Sequence, residues 1–152
     1  MSNTKLDLHG WIFMILGAGM IANALWMFVG PMHWYNELPA GVPDTGPFNP
    51  HFVRDIGCAF LTAGAGLIWA ARSNRYRLPL VAMSTVFLGS HALLHVYDTS
   101  VGNLPSNHWG LDLAGVYLPA AVLLWIMVGM LRNANAGSVE FDGAVDPDSD
   151  FT

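Results

Sequence analysis

Apolar residues in this chain fall into four long blocks, not into the short alternations or narrow stripes of a water-soluble fold. The blocks cover residues 10–32 (GWIFMILGAGMIANALWMFVGPM), 51–71 (HFVRDIGCAFLTAGAGLIWAA), 78–97 (LPLVAMSTVFLGSHALLHVY) and 111–131 (LDLAGVYLPAAVLLWIMVGML). Each approaches the roughly 20 residues that cross a ~30 Å hydrocarbon layer. A backbone in lipid must satisfy its own hydrogen bonds, which only helices and closed barrels do. The blocks lack the period-two alternation of barrel strands, so they predict helices. The expected fold is an all-α, integral membrane four-helix bundle over residues 1–135. An acidic tail, 136–152, follows and is expected to be flexible and cytoplasmic.

Polar residues between and within the blocks refine this picture. Arg72, Arg75 and Arg77 crowd the link between the second and third helices, Lys5 precedes the first, and Arg132 follows the fourth. The two links on the other side carry no Lys or Arg. The positive-inside rule therefore predicts both termini in the cytoplasm. Trp34 and Trp109 suit an outer interfacial belt, and Trp11 and Trp69 an inner one. Ala22, Asn23 and Ala24 are similar to a signal-peptidase site, but the apolar run continues through Val29, so a retained first helix is expected. The outer link ELPAGVPDTGPFNPH is rich in proline and glycine and predicts a shaped cap rather than a helix.

Composition supports a membrane class: of 152 residues, 53% are hydrophobic and only 11% charged, against about a quarter charged in soluble domains. The net charge of -5 comes largely from the tail. No basic patch with interleaved aromatics is present, so nucleic acid is not an expected partner. The single cysteine, Cys58, excludes an internal disulfide and argues against thiol-pair redox chemistry. Asp146, Asp148 and Asp150 have the spacing of a calcium loop but lack its glycine and later glutamate.

The candidate chemistry lies toward the outer ends of the helices. Ionisable groups in or beside lipid are costly and raise a functional-site hypothesis. Residues three, four and seven apart share a helix face. His51, Asp55, Cys58 and Thr62 form one stripe; Ser84, His91, His95 and Asp98 form another; His108, Asp112 and Gly115 form a third. On the first helix Asn23, Trp26, Gly30 and His33 follow the rule loosely. Each such face is expected to turn inward. Matching the outer ends of the helices places Asp55 near His95 and Asp112 near the level of Asp55.

Three functional readings and one structural reading follow. His91 and His95 at i and i+4, with His51, Asp55 and Asp98, offer N and O ligands for a transition metal such as zinc, copper or iron. His33 or His51 opposite His91 or His95 would suit haem b, and the same groups with Tyr97, Arg54 and Asp112 would suit a quinone. Asp55 or Asp98 with His95 would suit metal-free acid–base chemistry on a lipophilic substrate. The structural reading is a hydrogen-bonded lock between helices, in a small subunit of a larger membrane complex, with Arg54 snorkelling to the interface and His108 serving only as a helix cap.

The segment TGPFNPHFVRDIGCAFLTAGAGL, followed by SHALLHVYD, resembles a family of small bacterial four-helix membrane proteins. The likeness covers about half the chain. The arginine–aspartate start of the second helix and the four-helix layout are also similar to DoxX-like proteins, a group that includes accessory subunits of quinone-linked oxidoreductases. The resemblance implies a bacterial inner-membrane, multi-pass protein, with Arg54, Asp55, His91, His95 and Asp98 as the motif positions.

Overall fold

The computed structural model describes residues 6–143, with side chains described through Ala134. It is all-helical among these residues, and four helices are long and apolar enough to cross a membrane. They are α1 (Leu8–Val29), α3 (Pro50–Arg72), α4 (Asn74–Val101) and the run that includes α6 (Leu118–Gly143). Between them lie the short helix α2 (Pro31–Glu37), a 3-10 turn (Val42–Thr45), the single turn α5 (His108–Leu111) and a π-helical turn (Leu113–Tyr117) that leads into α6. The chain is a multi-pass membrane protein, and its helices contact the lipid bilayer.

Local chemistry sets the boundaries and moves some from their expected places. The first block divides at Gly30, whose backbone (φ -133°, ψ 62°) is non-helical. The cause is Pro31, which disfavours helical geometry in the residue before it and opens α2 at its own first position. His33 therefore sits on α2 and not on the face of α1. Asn49 caps α3, its side chain accepting from the backbone N–H groups of His51 and Phe52 at 3.0 and 3.2 Å. The arginine-rich link is shorter than expected, because α4 starts at Asn74 and carries Arg75 and Arg77 in its first turns. α4 ends on Gly102, whose φ of 82° is left-handed. At the far end α6 continues to Gly143, past the expected limit at residue 131, while residues 144–152 of the tail, with its calcium-like spacing, lie outside the described residues.

The long helices pack in a row, α1 on α3, α3 on α4 and α4 on α6, and α1 and α6 form no packed pair among the described residues. Phe13, Leu67, Val81, Leu88, Leu123 and Ile126 form the buried centre of the row. Apolar burial does not drive helices together in lipid, where packing of small residues does. At the α1–α3 crossing a Cβ on Gly64 would lie 2.8 Å from the Gly17 carbonyl oxygen, and one on Gly17 would lie 2.7 Å from that of Gly64. Glycine is required on both sides of this contact.

One end of the row is tied by an ion pair. Asp7 caps α1 by accepting from Gly10 N–H at 2.8 Å. It also takes a two-pronged contact from Arg77 at 2.7 and 3.1 Å. Arg77 reaches the Ala70 carbonyl of α3 as well, at 3.1 Å. The guanidinium holds the Asp7 carboxyl below its usual value of 3.8. The histidines and aspartates of interest lie at the opposite end.

Candidate functional site

The site is built where the hairpin from α4 to α6 folds under the loop that follows α2. α4 delivers His91 and His95 one turn apart, on the face that also buries Ser84 and Leu88. The hairpin is tight because the Asp98 carbonyl accepts from both Asn103 and Leu104 N–H, while the Asp98 carboxylate accepts from the Asn103 amide at 2.9 Å. The chain then re-enters as α5 and presents His108 and Asp112, again one turn apart. Pro119 has no N–H to bond the carbonyl four residues back, and the π turn precedes it. In that turn the Asp112 carbonyl accepts from both Val116 and Tyr117 N–H, which fixes the Asp112 backbone.

Asp112 is the centre. It is fully buried, and its Oδ2 accepts from His95 Nδ1 at 2.8 Å and from His108 Nδ1 at 3.2 Å. Its Oδ1 is buried without a hydrogen-bond partner. His108 is also fully buried, and its second nitrogen, Nε2, lies 3.1 Å from Asp44 Oδ2. Both His108 nitrogens therefore face carboxylates. The loop approaches this closely because Gly41 is left-handed (φ 62°), and a Cβ there would come within 3.2 Å of the His108 ring. His91 extends the cluster, its ring 4.7 Å from that of His95 and packed against Phe60 and Phe87.

The expected ligand set is partly redrawn. His95, His108 and Asp112 offer ligand atoms that all lie within 4.8 Å of one another. His51 and Asp55 do not join them: they pair with each other at 3.3 Å on an exposed face, their side chains 87% and 59% accessible. The inward face of α3 is instead the one carrying Val53, Gly57, Gly64 and Leu67, half a turn away. Small residues that permit close contact with α1 win that face, so the polar stripe turns outward. Asp98 lines the neighbouring cavity but is engaged with Asn103. Arg54 reaches the Phe28 carbonyl at 3.4 Å, His33 accepts from the Trp26 indole at 3.0 Å, and Tyr97 and Cys58 are exposed. His33 and His51, expected to face His91 or His95 across a haem, instead pair with Trp26 and Asp55. Asp112 was expected among cofactor contacts and is instead the hub. His108, expected to be a cap, is a full member.

Asp44 is the residue that sequence reasoning does not find. Its only sequence signal is a position in a turn-rich loop, 64 residues from His108. No family model matches the chain, and no curated protein or solved structure does.

Chemically, two imidazoles and one carboxylate around a single point form a three-ligand arrangement. Metal centres of this kind keep a further position open for water or substrate. Asp44 behind His108 repeats the carboxylate–histidine pairing that orients metal-bound imidazoles.

Proposed function

We propose that the protein binds a transition metal through His95, His108 and Asp112, within the membrane, for oxidoreductase or metal-handling work. The observation that supports this reading best is the state of Asp112: a fully buried carboxylate shared by two imidazoles, with its second oxygen unsatisfied. Such a group calls for positive charge, which a divalent cation supplies. Nitrogen and oxygen ligands suit zinc, iron or copper. In this reading Asp44 orients His108 and His91 is a further nearby nitrogen. The positive-inside rule favours the non-cytoplasmic face for the site, and the resemblance to DoxX-like proteins favours a bacterial inner membrane, with the site toward the periplasm.

Elemental analysis of detergent-purified protein tests the proposal. About one equivalent of metal is expected, falling to about a tenth or less in Asp112→Asn and His95→Ala. His51→Ala keeps the wild-type content. Less than about a tenth of an equivalent in the wild type after loading with zinc, iron and copper overturns it.

A further inference from the structure

Beside the Asp112 cluster lies a cavity of about 1190 Å³. It begins under the loop at Asp44 and Thr45 and descends to Ile15 on α1, Phe87 on α4 and Pro119 on α6. The α1 wall alone, from Ile15 to Met27, spans about 18 Å at 1.5 Å per residue. The cavity is graded. Its upper end holds Asp44, His95, Asp98, Asn103 and Asp112, and its lower end Leu16, Met20, Phe60, Phe87 and Leu88.

Charge and access narrow what it takes. Three carboxylates line the upper end, and no Lys or Arg lines the cavity among the described residues. A phosphate or carboxylate head would be repelled there. A neutral hydroxyl is suited, since it can donate to a carboxylate oxygen or to His95 Nε2, the nitrogen not engaged by Asp112. Access is lateral. Among the described residues α1 and α6 form no packed pair, and the cavity reaches Gly19 and Gly115, where an added Cβ would meet nothing within 4 Å. Gly19 lies at the middle of its span and Gly115 near the start of the last one.

We infer that the cavity binds a single-chain amphiphile with a neutral hydroxyl head and a long hydrocarbon tail. It enters from the bilayer between α1 and α6, places its hydroxyl at His95, and lays its tail toward Ile15. Long-chain alcohols and alkyl hydroquinones share this chemistry. The lateral entry and the path of the tail do not depend on a metal at Asp112; the preference for a neutral head holds for the metal-free cluster.

The test is photolabelling of the full chain in phosphatidylcholine nanodiscs, using hexadecanol with a mid-chain diazirine and mapping the label by peptide mass spectrometry. Label is expected on residues 15–23 and 111–119. It falls about fivefold or more in Gly19→Trp and Gly115→Trp, which fill the gap. Gly89→Trp and Gly129→Trp, equally open positions outside the cavity lining, keep it. Unlabelled hexadecanol or decylhydroquinone competes and palmitate does not, and the stronger competitor identifies the source of the head group. Competition by palmitate overturns the neutral head. Even labelling of all lipid-facing helices, or label unchanged by both gap-filling substitutions, overturns the lateral site. So does a dimer that those substitutions split, since the gap would then be an interface between copies. Metal content is measured on the same samples. Absent metal with specific label retained overturns the metal centre alone.

Discussion

A carboxylate with no accessible surface needs more than one good hydrogen bond, and Asp112 has two imidazole donors on one oxygen and none on the other. The imbalance makes Asp44 informative. Among the described residues its carboxylate bonds only His108 of the cluster, and it orients that ring by taking its outer nitrogen. Carboxylates that bond the far nitrogen of a metal-bound imidazole tune metal affinity by about 10–100-fold. Asp44→Asn is therefore expected to weaken metal binding by about that factor, measured by chelator competition, with helix content unchanged. At this scale the sequence was half legible. Spacing of four exposes His91 with His95 and His108 with Asp112, because a helix turn brings such residues together. The same spacing misleads at His51 and Asp55, which do meet, but on the outside. Asp44 was invisible because its partnership closes through a loop whose path depends on Gly41.

At the scale of elements, the four spans were readable because lipid enforces both length and hydrogen-bond closure, whatever the neighbours do. Which face of each span turns inward was less readable. Polarity predicts the inward face of α4 correctly and that of α3 incorrectly, since on α3 the glycines decide. The α1–α3 crossing permits a direct check. Gly64→Ala forces a Cβ against the Gly17 carbonyl and is expected to destabilise the fold by about 1–3 kcal/mol in detergent unfolding. Gly19→Ala has open space and is expected to be neutral or slightly stabilising in the same assay. Equal losses at the two positions would mean that the crossing is not set by close contact.

The whole molecule has two unlike ends. One is fastened by Asp7 and Arg77, which join the starts of α1 and α4 to the last turns of α3. Arg77 holds the Asp7 carboxyl below 3.8, so the native state binds its proton less readily than the unfolded chain does. The resulting stabilisation is present above that value and is lost as pH falls through the lower native one. Asp7→Asn is expected to remove this part of the acid-side decline in thermal stability, while the wild type and the variant keep parallel profiles above about pH 5. The other end carries the His/Asp cluster under a loop without basic residues. With Cys58→Ser as background, a membrane-impermeant maleimide added to intact spheroplasts is expected to label Thr45→Cys and not Arg75→Cys. The reverse pattern would place the cluster at the cytoplasmic face.

The row of helices also bears on how the protein is made. Each span packs against the one inserted just before it, so the chain leaving the ribosome meets its partner already in the bilayer. No earlier contact has to open for a later helix to dock. The last span, however, supplies Asp112, and the hairpin just ahead of it supplies His108. A nascent chain holding only the first three spans has His91 and His95 but no carboxylate hub. The cluster therefore forms when synthesis is nearly finished, and a chain truncated after α4 would insert without it.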